Sequence, residues 1–389
     1  MKIKSIWQSA RLDLLIYPLT FYLITYFLPF SSKLSNNFFY IFVLLPFLVI
    51  IFKSKHTHIL NVFNSKIAIL IAVFFIYFFI TTIYFYFFNL NYIYDYTRQV
   101  LSFSCFFFLC IYLFKNNNLE KKLSYVGAWA AVWGGTTIAF YYYQNEFSLR
   151  LKYIGPASHE IIGASVYAFM CLAVFLFGQR FPFYVRYSVV SILFLCVVLS
   201  GSRGPIIALV LSLVFASMVY GRKWVVFSAA LFLGIFSLFF YFGWFSLGRL
   251  YQASSGYRFQ IWGQIFSDLW HQGEWLVGRG FFAEKTIAAS GMLFDHAHSG
   301  FVSTFFHGGV VGLSILVLMI FVAAYSANKI KIKDDKVKAI SMLVFSMMII
   351  LTDNHKLLTG PDPLWIYFWL PIAYLSSIEL RESVKPRTL

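Results

Sequence analysis

Apolar runs fill most of this chain, separated by short charged or turn-forming stretches. Their lengths predict helices. Runs such as Ile67 to Phe88, Trp224 to Trp244 and Gly300 to Ala327 reach or exceed the roughly 20 residues that cross a bilayer core about 30 Å thick. Twelve candidate spans follow, near 12–30, 38–52, 67–88, 98–114, 123–143, 161–178, 185–200, 205–220, 224–244, 300–327, 339–352 and 364–380. The second, seventh, eighth and eleventh are short, but each is bounded by charge or turn residues. The first follows Lys2, Lys4 and Arg11 and has no small-residue cleavage site after it, so it reads as a retained span rather than a signal peptide. One polar interval is long, from about Phe245 to Ser299.

Composition agrees with the pattern: 60% of residues are hydrophobic, 22% aromatic and 12% charged. The chain therefore reads as an all-α polytopic membrane protein, a single integral membrane domain over 1–389 with a helical loop, 245–299, inserted between the ninth and tenth spans, a loop that the family resemblance given below makes periplasmic. Cys105, Cys110, Cys171 and Cys196 all fall inside expected spans without metal-ligand spacing, as small packing residues do.

The formal net charge of +16 changes meaning once it is divided by side. With both termini and every even-to-odd connection on one side, that side holds 21 of the 31 Lys and Arg residues and a net +15, against +1 opposite. Cations accumulate on the cytoplasmic side of membrane proteins, so the bias expects cytoplasmic termini and marks topology, not nucleic-acid binding. The 245–299 interval then lies outside the cytoplasm, where ATP and nucleotide sugars are not available. No GxxxxGK[ST] phosphate loop occurs, in keeping with chemistry that uses no nucleotide. A reaction at that face needs a substrate already activated and carried by lipid.

Three sets of residues offer chemistry. Ser200-Gly201-Ser202-Arg203-Gly204-Pro205 places an arginine beside a helix start near Ile206, a combination suited to an anion, although an arginine snorkelling at a span end has the same local sequence. Tyr257-Arg258-Phe259-Gln260-Ile261-Trp262, with apolar positions continuing at 265, 266 and 269, has the spacing of an amphipathic helix on the membrane surface, and Arg258 lies one turn before Trp262. Arg279, in the turn Gly278-Arg279-Gly280, is a fainter candidate. The third set is Asp295-His296-Ala297-His298-Ser299. It lacks a third strong ligand for zinc, and histidines two apart share no helix face. His298, at the mouth of the tenth span, is placed to accept a proton near neutral pH, whereas His307 falls half a turn out of phase and is expected to be buried, hydrogen-bonded and without catalytic role. Asp353-Asn354-His355-Lys356 through Pro361-Asp362-Pro363, with Lys152, His159 and Glu160, lie on the same side and either border the site or form ordinary polar turns.

Together these segments resemble the O-antigen ligases and the related O-antigen polymerases. The resemblance is carried by the Ser-Gly-Ser-Arg-Gly segment at 200–204, by Arg258 with Trp262, and by His296-Ala297-His298-Ser299 followed by His307-Gly308-Gly309-Val310-Val311-Gly312-Leu313. Members often have Asn where Ser299 stands and an acidic residue where His307 stands. The family implies transfer of a polysaccharide from undecaprenyl pyrophosphate to a sugar hydroxyl of the lipid A–core at the periplasmic face of the bacterial inner membrane, by inverting displacement without metal, nucleotide or other cofactor. Carried onto this chain, His298 is the general base, Arg203 and Arg258 serve catalysis and pyrophosphate binding, and His296, Arg279 and Trp262 join the substrate-binding set. Membrane lipids are the surrounding partners, and no nucleic acid is implied. Polymerisation of lipid-linked repeat units is the alternative within the family; a lipid-linked sugar transporter or flippase is the alternative outside it.

Overall fold

The computed structural model describes residues 12–53, 61–145, 150–220, 234, 237, 256–284, 287–289, 292–294, 297–353 and 356–384. Helices coincide with each expected apolar run except the ninth, 224–244, which lies outside the described residues apart from Gly234 and Ser237. We number them α1 (Leu12–Thr25), α2 (Ser32–Lys53), α3 (Lys66–Tyr86), α4 (Leu90–Lys115), α5 (Asn118–Asn145), α6 (Glu160–Phe177), α7 (Phe183–Leu199), α8 (Arg203–Tyr220), α9 (Gly256–His271), α10 (Gly300–Lys329), α11 (Lys333–Thr352) and α12 (Leu370–Val384). Among the described residues, five helices are long and apolar enough to cross a membrane: α2, α3, α4, α6 with its short extension, and α10. The expectation of twelve spans is met at that level only in part. Helices α1, α7 and α8 are apolar but shorter, while α5 and α11 open on charged turns, Glu120-Lys121-Lys122 and Lys333-Asp334-Asp335-Lys336.

Helix α6 forms the centre. Nearly all of its side chains are buried, and α5, α7, α8 and α11 pack around it. The outer helices turn apolar side chains outward, among them Ile41, Phe42 and Phe52 on α2 and Ile76 and Ile80 on α3. Such stripes match hydrocarbon rather than water.

The connections assigned to one side by charge also meet at one end. Lys338, at the start of α11, pairs with Glu120 from α5 at 3.5 Å and with Asp334 at 2.5 Å, and Arg381 of α12 reaches the same Glu120 at 3.4 Å. At the other end the turn after α8's predecessor, the segment preceding α6 and the chain following α11 come together, as described below.

The long polar interval is not wholly helical. Besides α9 it holds a small antiparallel hairpin, β1 (Ile287–Ala289) and β2 (Met292–Phe294), with Ile287 opposite Phe294. Four residues of the 274–280 turn lock this interval onto α10 through backbone hydrogen bonds. That helix is broken at Gly309, where φ is +59° and ψ −161°, and the amides freed by the break donate to the turn: Val310 N–H to Trp275 O at 2.9 Å and Val311 N–H to Leu276 O at 3.2 Å. In return Arg279 N–H donates to Phe306 O and Gly280 N–H to His307 O, both at 3.0 Å. Tyr77 of α3 closes the arrangement with a hydroxyl bond to Gly308 O at 2.6 Å. A continuous helix has no free amides at this depth, so the break and the docked turn require each other.

Gly309 tolerates no side chain: a Cβ there would stand 2.3 Å from the Leu276 carbonyl oxygen, in a backbone conformation that disfavours L residues. Gly309→Ala should therefore lower the thermal midpoint of the detergent-purified protein by several degrees, since left-handed strain of about 1–2 kcal/mol adds to the overlap. An unchanged midpoint would mean that the turn is not docked on the helix break.

Candidate active site

His298 stands just before α10, on a backbone with φ of +49°. Histidine visits this left-handed region only occasionally, so something must hold it there. Its Nδ1 lies 3.2 Å from Asp353 Oδ1, with side-chain exposures of 21% and 14% for the two partners. Asp353 ends α11 and is anchored by its own N–H to Ile349 O at 2.9 Å. An ionised carboxylate only accepts hydrogen bonds, so a neutral imidazole facing it carries its proton on Nδ1 and its basic lone pair on Nε2. The ring also meets Phe294 edge-on, with centroids 6.0 Å apart.

Arg203 reaches this neighbourhood through α11. Helix α8 begins at Arg203 itself, three residues before the start expected at Ile206, so the guanidinium belongs to the first helical turn. The next residue, Gly204, sits against Thr352, where a Cβ would lie 2.7 Å from the Thr352 hydroxyl. Thr352 immediately precedes Asp353. Only a glycine lets the α8 start approach the end of α11 this closely.

The segment is braced from outside by Arg150, whose Nε donates to Ser200 O at 2.8 Å and whose Nη2 reaches Ser202 Oγ at 3.4 Å. Arg150 Nη1 also pairs with Glu160 Oε2 at 2.9 Å. Glu160 opens α6, so a single guanidinium ties the 200–204 turn to the central helix.

The helix that bears Arg258 is joined to the His298 segment by a different route. Helix α9 buries Ile261, Ile265 and Leu269 against Ala297, Val302, Phe305 and Phe306, the i, i+4, i+8 stripe of an amphipathic helix. That stripe faces α10, not lipid as expected; the apolar residues left exposed on α9 are Phe259, Phe266 and Trp270. Trp262 donates its indole N–H to Ala297 O at 2.8 Å, one residue before His298. Half-buried Arg258 stands one turn earlier on the same helix.

Arg279 is engaged otherwise. Its Nε bonds Glu274 Oε2 at 2.6 Å, its Nη2 bonds Gln272 Oε1, and its guanidinium lies over the Phe306 ring at 5.5 Å. These contacts hold the 274–280 turn. His307 is buried as expected and donates from Nδ1 to Gly280 O at 3.0 Å. His296, Asp295 and His355 lie outside the described residues.

Sequence reasoning placed Asp353 only at the border of the site and did not single out Arg150. Both act through partners some fifty residues away, and no local spacing announces such a pair. Lys356, three residues beyond Asp353, belongs to the same bordering segment. Its ammonium lies 5.0 Å over the Phe281 ring and 5.6 Å over Phe282, and burial pushes its pKa down from 10.5 to about 8, with Glu284 acting weakly in the other direction.

A depressed lysine pKa means that the unfolded chain binds more protons between about pH 8 and 10.5, so stability rises with pH through that window and the desolvation penalty is full below it. Lys356→Met should accordingly raise the thermal midpoint at pH 7 and flatten its rise between about pH 8 and 10. A lowered midpoint at pH 7 with the slope retained would show that burial does not govern this amine.

Comparison with known proteins adds a separate line of evidence. The O-antigen ligase family model matches residues 188–317, a stretch that contains Arg203, Arg258, Arg279 and His298. A curated O-antigen ligase of Pseudomonas aeruginosa is 25% identical over 267 residues, which is 67% of this chain and 65% of that protein. The chain thus spans somewhat less than two thirds of the length of the relative it matches. On both counts the chain is similar to the O-antigen ligases, as its arginine and histidine segments imply.

Proposed function

We propose that this chain transfers a polysaccharide from undecaprenyl pyrophosphate to a sugar hydroxyl of the lipid A–core in lipopolysaccharide biosynthesis. The reaction takes place at the periplasmic face of the bacterial inner membrane, with both termini in the cytoplasm. One observation carries the reading: the His298–Asp353 pair, partly buried at the mouth of α10, stands beside the two segments that bear Arg203 and Arg258.

The acceptor hydroxyl gives its proton to Nε2 of His298 as its oxygen attacks the anomeric carbon of the donor. The bond from that carbon to the pyrophosphate oxygen breaks with its electron pair leaving on the phosphate. One displacement inverts the configuration. Asp353 holds the imidazole in the required tautomer and stabilises the imidazolium that forms, the role of a carboxylate behind a catalytic histidine. Charge grows on the departing pyrophosphate, and guanidinium groups answer it because they pair phosphate oxygens in bidentate fashion and keep their charge. Arg203 adds the positive end of α8 to its own charge. The donor bond already contains the energy, so the reading needs neither nucleotide nor metal. Trp262 fixes the backbone before His298, and Arg279 keeps the outer turn on α10.

Polymerisation of lipid-linked repeats uses the same groups, and deletion of the gene separates the two. Bare core with long polymer left on the undecaprenyl carrier is the expected result. Core bearing one repeat would assign the chain to polymerisation, and unchanged lipopolysaccharide would exclude both.

With purified protein in reconstituted membranes, His298→Ala should slow transfer on the order of 10²–10⁴-fold. Asp353→Asn should lower kcat by a similar order with KM little changed, because an amide can donate to Nδ1 and move the proton to Nε2. Near-normal transfer by His298→Ala would remove the general-base assignment.

A further inference from the structure

The opposite end of the bundle, far from His298 along every helix, holds a hollow of about 330 Å³ that the proposed reaction does not use. Its volume falls in the roughly 300–1,000 Å³ range of clefts that hold small ligands. Its walls come from the start of α1, the start of α5 and the turn Gly178–Arg180 between α6 and α7. Lys121, Lys122 and Arg180 line it, with Asp13 as the single carboxylate.

That carboxylate is already engaged, by the side-chain amides of Asn116 and Asn118 at 3.5 Å each. Among the described residues the three cations form no ion pair with an acid.

A neighbouring hollow sharpens the contrast. It is larger, about 650 Å³, and shares Lys121 and Arg180. There the other basic groups are matched: Lys338 with Glu120 and Asp334, Arg381 with Glu120. The larger hollow is lined by four basic and four acidic residues, the smaller by three basic residues and the single carboxylate of Asp13, with Lys121 and Arg180 common to both.

The rim is aromatic and turned outward. Tyr17 is 61% and Tyr125 50% exposed, the Lys122 ammonium lies 4.7 Å over the Tyr17 ring, and Tyr125 meets Phe181 edge-on at 5.4 Å. Exposed tyrosines beside lysines mark the level at which a helix leaves hydrocarbon for headgroups. A hollow open at that level meets lipid phosphates from the side.

From this combination of charge, volume and depth we infer that the hollow binds the headgroup phosphate of an anionic phospholipid, held by Lys121, Lys122 and Arg180 with Tyr17 and Tyr125 at the acyl boundary. Basic pockets between helix ends recognise headgroups in this way on the side that carries the cations. The site is separate from the proposed transfer reaction and makes no use of its residues.

The test uses the full chain purified in detergent, with retention of phosphatidylglycerol and of phosphatidylcholine measured by native mass spectrometry. Phosphatidylglycerol should be retained selectively. K121Q/K122Q/R180Q should lose that retention on the order of tenfold or more, whereas K331Q/K333Q, which removes two cations at the same end outside the hollow, should keep it. Asp13→Asn, which removes the one carboxylate, should strengthen retention. The single replacements K121Q, K122Q and R180Q, read separately, keep the test valid if the triple replacement does not fold. Equal retention of both lipids, or an unaffected triple variant, overturns the inference. Displacement of the lipid by millimolar inorganic phosphate also overturns it, because the hollow would then belong to a soluble anion.

Discussion

A carboxylate that can only accept a hydrogen bond is the contact on which the proposed chemistry of this molecule rests. Asp353 meets Nδ1 of His298, and from that one contact follow the tautomer of the neutral ring, with its basic lone pair on Nε2, and the persistence of a left-handed histidine at the entrance to α10. The neighbours of the two partners extend the constraint. Thr352, before Asp353, receives Gly204 and so brings in the Arg203 turn; Ala297, before His298, receives the Trp262 indole and so brings in the Arg258 helix. The segments that bear Arg203 and Arg258 are thereby tied to the backbone positions next to Asp353 and His298.

Such a pair needs rigid supports, and the bundle supplies them from two directions. Arg150 fastens the 200–204 turn to the first residue of buried α6. The break in α10 at Gly309 fastens the outer interval by exchanging hydrogen bonds with the 274–280 turn. Backbone that is irregular near a membrane survives where other protein groups satisfy it, and here each irregular segment satisfies the other. Arg279 belongs to this support through Glu274 and the Phe306 ring, which explains an arginine in a turn without assigning it to a substrate.

The helices were legible in the sequence because their signal is local and repeated. Long apolar runs gave α3, α4, α6 and α10, a 3.6-residue period gave α9, and the helical phase of His307 gave its burial. The partner of α9 was not legible: periodicity reports that a face is apolar, and Ile261, Ile265 and Leu269 fit α10 as well as they would fit lipid. The break at Gly309 was not legible either, since only the incoming carbonyls at Trp275 and Leu276 reveal it. Asp353 and Arg150 left still less trace. Each meets its partner across some fifty residues, and a single pair formed by the fold imposes no spacing on the chain.

The state of the His298 ring tests the account most directly. Nitrogen-15 NMR of histidine-labelled protein in bilayers at neutral pH, with the His298→Gln variant used to assign the resonance, reads the proton on each ring nitrogen. A neutral ring with Nδ1 protonated and Nε2 bare is the predicted result, with Nδ1 losing that signature in Asp353→Ala. A ring protonated at Nε2, whether as the other neutral tautomer or as imidazolium, would contradict it.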